Sequence, residues 1–282
     1  MVIESIINPI KAEKKPWEMF FLGFFYTSIA ILFSSWIFSE HSSLVMVFLI
    51  VMACLPLFYA TAKMEEKKDL NLDSEVSMLK EHSKAFSFFI LLFLGITLAC
   101  AIWYVFLPAE TSANAFSVQQ ATINQINGRV TGFVLTDGLF FKIFLNNIKV
   151  LVFCILFAFL YGVGAIFILT WNASVIGVAV GNFVRTKMAD IASTLGAFGA
   201  ASYFHVFSLG MIRYFLHGGF EILAYFIGGL AGSIISVAII RHDFATKKFE
   251  KVIFDSANLL MIAFVLLFIG AIVEVYVTPL FF

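Results

Sequence analysis

Long apolar runs, separated by short polar links, constrain the fold of this chain more than any other feature of its sequence. Of its 282 residues, 61% are hydrophobic and only 13% are charged, and the mean hydropathy is +0.99. A helix of about 20 apolar residues is long enough to cross the hydrocarbon core of a bilayer. The sequence therefore predicts an all-α, multi-pass protein of the cell membrane, and it excludes a soluble enzyme.

The apolar runs predict about seven transmembrane helices. They cover residues 18–38, 44–62, 86–107, 144–171, 193–214, 220–240 and 256–278. The fourth run continues to residue 184 and would be about 60 Å long as one helix, twice what a bilayer needs. We therefore predict a break at Asn172, whose side chain is suited to cap a new helix. Residues 173–184 would then form a re-entrant or interfacial half-helix.

Polar segments divide the predicted helices into three parts. Residues 1–62 form an N-terminal amphipathic segment and a transmembrane hairpin, residues 63–85 a charged, solvated connector, and residues 86–282 the core domain. Most short basic segments fall on the side of the N-terminus, with Arg185 and Lys187 among them. The positive-inside rule therefore predicts that the N-terminus is inside and the C-terminus outside.

Two loops are predicted to make external contacts. Residues 109–141 form the longest polar stretch and are predicted to offer an outer surface to a membrane or extracellular protein partner. Residues 241–251 form a basic juxtamembrane loop that is suited to the head groups of anionic membrane lipids. The net charge of the whole chain is zero, which argues against a nucleic-acid partner.

The most polar stretch among the late apolar runs extends from Arg213 to Glu221. Arg213, His217 and Glu221 are spaced four apart, so they would share one face of a continuous helix. Gly218 and Gly219, however, are predicted to break the helix at this point. Polar groups at membrane depth indicate either a functional site or a tightly paired structural one.

Four further polar residues are predicted to lie at the same depth, near the outer leaflet: Asn146, Asn147, Lys149 and Glu274. Because an unpaired charge in hydrocarbon is costly, Lys149 and Arg213 are predicted to pair with Glu221 and Glu274. Such a network either locks three helices together or lines a polar vestibule for a proton, an ion or an anionic solute.

A metal site formed by His217 and Glu221 is the least favoured alternative, since only one histidine is involved. No metal and no other cofactor is predicted. The sequence contains no zinc-protease, nucleophile-elbow, P-loop or dinucleotide-binding motif, so no catalytic residue is assigned. The three cysteines lie in different apolar runs and are interpreted as small buried side chains.

Small residues recur at four-residue spacing in the late helices. The pairs are Gly177 and Gly181, Gly196 and Ala200, and Gly228 and Gly232. Small residues let helix backbones approach closely in lipid. We expect packing within the chain, with a homo-oligomer as the alternative.

Two motifs in the C-terminal half resemble the stage II sporulation protein M family, in its archaeal form. The first motif is Phe144-Leu145-Asn146-Asn147-Ile148-Lys149-Val150, followed by Gly162-Val163-Gly164 and then Asn172 and Gly177. The second is His217-Gly218-Gly219-Phe220-Glu221-Ile222, and Leu216 stands where the family usually has proline. The resemblance covers about residues 140–280. It implies a membrane scaffold that holds partner proteins, and it supplies no catalytic residues.

Two functions stay open at this point. The first is a non-enzymatic membrane protein that organises partner proteins or the membrane itself. The second is a transporter or channel for a small solute or ion that uses the polar cluster around Glu221.

Overall fold

The computed structural model describes residues 9–71, 75–130, 136–161, 165–195, 199–240 and 246–281. Within these ranges the chain is almost entirely helical and contains no strand. Seven of the described helices are long and apolar enough to cross a membrane. The predicted all-α, multi-pass fold with about seven spans is confirmed.

The helices follow one another along the chain with short connections. They are α1 (Pro9–Lys14), α2 (Trp17–Ile37), α3 (Ser42–Asn71), α4 (Glu75–Phe106), α5 (Ala109–Ala115), α6 (Ser117–Val130), α7 (Thr136–Tyr161), α8 (Ala165–Leu195), α9 (Ala200–Ile240) and α10 (Lys247–Ile272). Helix α10 continues through a π-helical turn (Val273–Val277) into the short helix α11 (Thr278–Phe281). The spanning helices are α2, α3, α4, α7, α8, α9 and α10 with its extension.

The predicted helix break at Gly218 and Gly219 is wrong. Helix α9 is 41 residues long and runs through both glycines, so the predicted fifth and sixth spans are parts of one helix. A glycine inside a helix costs only about 1 kcal/mol relative to alanine. Most residues of α9 between Ile222 and Ala238 are buried against neighbouring helices, and this packing holds the helix straight through the two glycines.

The predicted break at Asn172 is also wrong. Helix α8 is 31 residues long and continues through this residue. The side-chain amide of Asn172 donates a hydrogen bond to the carbonyl oxygen of Ile168, one turn earlier, at 2.8 Å. The asparagine is therefore satisfied inside a helix and does not cap one. Residues 173–184 belong to a complete span and do not form a half-helix.

The number of spans stays at seven, because α8 adds one span and the merging of two predicted spans into α9 removes one. Because α8 crosses the membrane, Arg185 and Lys187 lie near the end of a span on the side opposite to the one predicted. Because α9 is a single helix, the start of α10 at Lys247 stays on the side of the N-terminus. The positive-inside rule still predicts that this side is the inside.

The predicted solvated connector at residues 63–85 has both an exposed and a buried face in its described parts, with Lys63, Lys67 and Lys84 exposed. Helix α3 extends to Asn71, and α4 already begins at Glu75. The side chains of Glu65, Glu66 and His82 are all buried, at 1% exposure or less. The charged ends of these two helices therefore pack into the bundle.

Part of the predicted outer loop also packs into the bundle. Phe116, just before α6, and Gln119, in its first turn, are both fully buried. The Gln119 amide nitrogen donates to the Ser43 carbonyl oxygen at 3.5 Å and to the Ser174 hydroxyl at 3.3 Å. This segment therefore seals one end of the bundle.

Glycines mark the closest helix contacts. A Cβ atom on Gly177 would lie 2.6 Å from the Thr97 carbonyl oxygen, so α8 and α4 touch through their backbones. At Gly181 the same atom would lie 2.8 Å from the Tyr104 ring. The residue number rises along both helices from the first contact to the second, from Gly177 to Gly181 on α8 and from Thr97 to Tyr104 on α4. Helices α4 and α8 therefore run parallel.

Helices α7 and α9 pack in the same way. A Cβ atom on Gly232 would lie 2.8 Å from the Ile155 carbonyl oxygen, and one on Gly228 would overlap the Leu151 side chain. The close contacts of Gly177, Gly181, Gly228 and Gly232 are therefore all with other helices of the same chain. Gly196 lies outside the described residues.

A further close contact was not predicted from the small-residue pattern. A Cβ atom on Gly95 of α4 would overlap the Phe20 carbonyl oxygen of α2, and one on Gly23 would overlap the Leu92 carbonyl oxygen. The two glycines come from different helices, so spacing within one helix cannot reveal the contact.

Candidate functional site: an intramembrane carboxyl pair

The carboxyl groups of Glu221 and Glu274 lie close enough to interact directly. Glu221 lies in the middle of α9, and Glu274 lies in the π-helical turn that follows α10. Two carboxylates held this close repel each other, so a form of the pair with at most one negative charge is favoured. In that form one carboxyl group keeps its proton and can donate to the other.

Gly270 allows α10 to approach α9 beside the carboxyl pair. A Cβ atom at this position would lie 3.3 Å from the Phe220 Cβ, a tight contact, and 3.4 Å from the Glu221 Cγ. Glu274 is four residues further along, so on a helix it faces the same neighbour. The close approach of the two backbones thus sets the distance between the two glutamates.

The π-helical turn positions the second half of the site. The backbone N–H of Thr278 donates to the carbonyl oxygen of Val273, five residues earlier. Its hydroxyl group also donates to that oxygen at 3.1 Å and lies 3.3 Å from Nδ1 of His217. Single π-helical turns inside α-helices frequently occur at functional sites. Here the turn brings Thr278 to His217 while Glu274 meets Glu221.

Asn147 supplies a contact from a third helix. The side-chain amide of Asn147 on α7 donates a hydrogen bond to Oε1 of Glu221. Asn147 is buried, at 6% exposure. A neutral donor stabilises a carboxylate or an accepting carboxyl oxygen without adding a positive charge. The site is therefore built by α7, α9 and the π-helical turn.

Open space lies beside the carboxyl pair. A Cβ atom built on Gly218 or Gly219 would meet no atom within 4 Å, although Gly218 is itself buried. Gly218 precedes Glu221 by three residues and lies on the same face of α9. The side chains of Glu221, His217 and Glu274 are only partly buried by protein. The pair therefore borders a space that protein side chains do not fill.

The predicted pairing of charges is wrong. No ion pair of the described residues joins Lys149 or Arg213 to Glu221 or Glu274. The Arg213 guanidinium lies over the ring of Phe183, 5.7 Å from its centre. Arg213 is two helical turns before Glu221, about 12 Å along the axis.

Lys149 and Asn146 are both exposed on α7. Each residue along an α-helix is rotated by about 100° from the one before it, so the neighbours of a buried residue point elsewhere. Asn147 therefore faces the bundle, whereas Asn146 and Lys149 face away from it. Of the seven predicted site residues, the structure brings Asn147, His217, Glu221 and Glu274 together.

The site lies deeper in the membrane than the predicted outer leaflet. Phe215 and Phe226, which flank Glu221 along α9, both contact the Phe93 ring, with centroids 6.5 and 6.2 Å apart. Phe93 lies near the middle of the span Glu81–Phe106. Glu221 is therefore close to the middle of the bundle.

The described residues contain no group of three or more His, Cys, Asp or Glu side chains that would hold a metal ion. Cys54, Cys100 and Cys154 are buried and unpaired, each in a different helix. The carboxyl groups of the pair can each bind and release a proton.

A second polar cluster lies at the end of the bundle that is on the side of the N-terminus. Nζ of Lys68 lies 2.5 Å from Glu13, 2.8 Å from Glu65 and 3.7 Å from Glu81. Glu65 also accepts a 2.6 Å contact from Nδ1 of His82. We call these five residues the Lys68 cluster. It joins α1, α3 and α4.

The Lys68 cluster was not predicted, although the sequence carries a signal for it. Cys54, Phe58, Thr61 and Glu65 follow one another at helical spacing, and all four are buried. Extending the buried face of α3 into its charged end would have placed Glu65 inside the bundle. The balanced charges of the segment had favoured a solvated helix instead.

These observations define a polytopic, all-helical membrane protein with a pair of neighbouring carboxyl groups near the middle of its bundle. The family model of Stage II sporulation protein M matches residues 45–279, and the chain belongs to this family. The match extends beyond the C-terminal half in which the resemblance was seen and includes most of α3 and all of α4. Neither the comparison with curated proteins nor that with solved structures gave a match.

Proposed function

We propose that this membrane protein is a transporter that moves protons, or a small solute together with protons, and that Glu221 and Glu274 form its proton-binding centre. The observation that supports the proposal best is that two carboxyl groups lie side by side near the middle of the bundle, with the Asn147 amide donating to one of them. Ionisable residues inside membrane spans commonly serve in ion pathways and proton relays. No catalytic role is assigned to any residue.

A purely structural role would favour a different arrangement. Apolar side chains or a well-paired salt bridge lock helices together at lower cost than two carboxyl groups do. No basic side chain neutralises Glu221 or Glu274 among the ion pairs of the described residues. The open space beside Gly218, which shares a face of α9 with Glu221, offers room for water or a small solute next to the pair.

Proton flux into sealed liposomes tests this proposal. The purified protein is reconstituted with a pH-sensitive dye inside, and a potential is applied across the membrane. We expect flux above that of empty liposomes and a loss of at least about tenfold in Glu221→Gln, because an amide cannot release a proton. Glu250→Gln, at the exposed start of α10, is the matched control and should leave the flux unchanged.

Equal flux in the wild type, Glu221→Gln and Glu250→Gln would contradict the role of the pair. A wild type that conducts no more than empty liposomes, with or without added small solutes, would contradict transport itself. Size-exclusion chromatography of each variant separates a loss of function from a loss of fold.

A second function, the organisation of partner proteins, is favoured by the lengths of α8 and α9. The Arg185 guanidinium on α8 donates to the carbonyl oxygen of Leu107, immediately after the end of α4. Helix α8 continues for about 15 Å beyond this point before α9 begins. We infer that the α8–α9 hairpin projects from the membrane on the side away from the N-terminus, with Phe204 exposed at 75%.

Site-specific photo-crosslinking in native membranes tests the second function. A photoreactive amino acid in place of Phe204 should give a discrete crosslinked product if the hairpin binds a partner. The same label in place of Phe264, an exposed residue on α10, is the control and should give none. Identical patterns at both positions would argue against a partner at the hairpin.

The basic start of α10, around Lys247, is proposed to contact anionic lipids.

A further inference from the structure

A small polar cavity lies at the turn between α2 and α3, far from the carboxyl pair. It has a volume of about 170 Å³ and is lined by Ser35, Ser39, Ser42, Glu110, Thr111 and Asn114. At about 30 Å³ per water molecule, it has room for roughly five waters or for one small polar group. Helix α5, which carries the last three residues, closes over the turn.

One lining residue has an unsatisfied polar atom. The hydroxyl oxygen of Ser35 is buried, and it has no hydrogen-bond partner in the part of the chain that the structure describes. Buried polar atoms are normally paired, so this hydroxyl group is available to bind a polar group that enters the cavity. The Ser42 hydroxyl is already used, because it donates to the Ser39 carbonyl oxygen at 3.3 Å.

The charges of the lining select the type of ligand. Glu110 is the one charged residue of the lining, and the other five residues offer hydroxyl, amide and carbonyl oxygens. A carboxylate surrounded by such acceptors matches a group that is positively charged and donates several hydrogen bonds. A primary ammonium group has both properties, whereas a quaternary ammonium group has no N–H to donate.

The position of the cavity indicates where a primary ammonium group could come from. The cavity lies between the ends of two spans, Trp17–Ile37 and Ser42–Lys68, and thus at the surface of the bilayer. Next to it, Trp36 is 81% exposed and Phe38 is 49% exposed. Aromatic side chains of this kind are enriched at the level of the lipid head groups.

We propose that this cavity binds a primary ammonium group, with Glu110 as its counter-ion and Ser35 as a hydrogen-bond acceptor. Such a group comes either from an amine-bearing lipid head group or from a small soluble amine. The inference is independent of the proposed transport function, because none of the cavity residues belongs to the carboxyl pair.

Lipid retention tests the proposal. The full-length protein is purified from vesicles that contain phosphatidylethanolamine and phosphatidylcholine in equal amounts, and its bound lipids are counted by native mass spectrometry. We expect enrichment of phosphatidylethanolamine that falls about tenfold in Glu110→Gln, since a charge-assisted hydrogen bond is lost. Glu40→Gln is the matched control, because Glu40 lies exposed in the same turn but does not line the cavity.

A soluble amine is distinguished by a second measurement. In phosphatidylcholine nanodiscs, added ethanolamine should raise the melting temperature of the wild type and of Glu40→Gln, but not that of Glu110→Gln. Ser35→Ala should reduce the same shift, while its melting temperature without amine stays equal to that of the wild type. This result without lipid enrichment supports the site and assigns it to a soluble amine.

The proposal is overturned if neither amine has an effect on the wild type. It is also overturned if Glu110→Gln and Glu40→Gln behave alike, because the binding then does not use the cavity.

Discussion

His82 on α4 and Glu65 on α3 are joined by a 2.6 Å contact between Nδ1 and Oε2, and both side chains are almost completely buried. Glu65 also binds Lys68, which in turn binds Glu13 of α1. A charge buried in this way is tolerated because several partners surround it. The Lys68 cluster therefore ties the N-terminal helix to two spans.

Removal of the central cation should destabilise the protein. Lys68→Met leaves the buried Glu65 carboxylate without its ammonium partner, and we expect the free energy of unfolding to fall by about 3 kcal/mol. Thermal unfolding in detergent measures the effect. Lys84→Met is the control, because Lys84 is 45% exposed and pairs with Glu81 at the surface, so a change within about 0.5 kcal/mol is expected. Equal melting temperatures for both variants would show that the cluster contributes little.

Two glycines in adjacent helices should respond in opposite ways to alanine. Gly177→Ala places a Cβ atom 2.6 Å from a backbone oxygen of α4, and we expect a loss of about 1–3 kcal/mol. Gly219→Ala meets no atom within 4 Å, and alanine favours the helix by about 1 kcal/mol, so stability should stay equal or rise. Thermal unfolding of both variants checks this, and a stable Gly177→Ala would contradict the close α4–α8 contact.

Neighbouring asparagines on α7 should differ in their effect on the carboxyl pair. Asn147→Ala removes a hydrogen bond to Glu221, and we expect a loss of about 1 kcal/mol in stability together with a changed proton flux. Asn146→Ala alters an exposed side chain and should change neither quantity. If both variants matched the wild type, the contact between α7 and the pair would be without consequence.

The two glutamates should behave as one unit. Glu221→Gln and Glu274→Gln each leave one ionisable carboxyl group, and the double variant leaves none. Because the proposed centre shares one proton between both residues, the double variant should reduce proton flux no further than the more severe single variant. Additive losses would instead indicate two separate proton sites.

The number of spans predicts which residues share a side of the membrane. Lys187, near the end of α8, and Lys247, at the start of α10, are separated by one span and should lie on opposite sides. Cysteine variants at these positions can be labelled in sealed vesicles with a reagent that does not cross membranes. The native cysteines are buried and should contribute little background. Labelling of both positions from the same side would contradict the seven-span fold.

Several features of the site were predictable because they depend on the chemistry of single residues. The motif from His217 to Glu221 and the late Glu274 stand out as polar groups in apolar runs, where they are costly. Their partners were not predictable in the same way. Lys149 and Asn147 are two residues apart on α7, yet only Asn147 faces the bundle. The rotation of a helix about its axis depends on packing against its neighbours.

The sequence by itself determined that the chain is an all-helical, multi-pass membrane protein, because the preference of a segment for lipid depends on its own composition and length. Only the tertiary structure decided where the long helices are interrupted, since packing outweighs the small cost of glycine at Gly218. It also decided that Glu221 meets Glu274 and not a cation. Gly270 brings two backbones together at this point, and such a contact between distant helices leaves no local trace in the sequence.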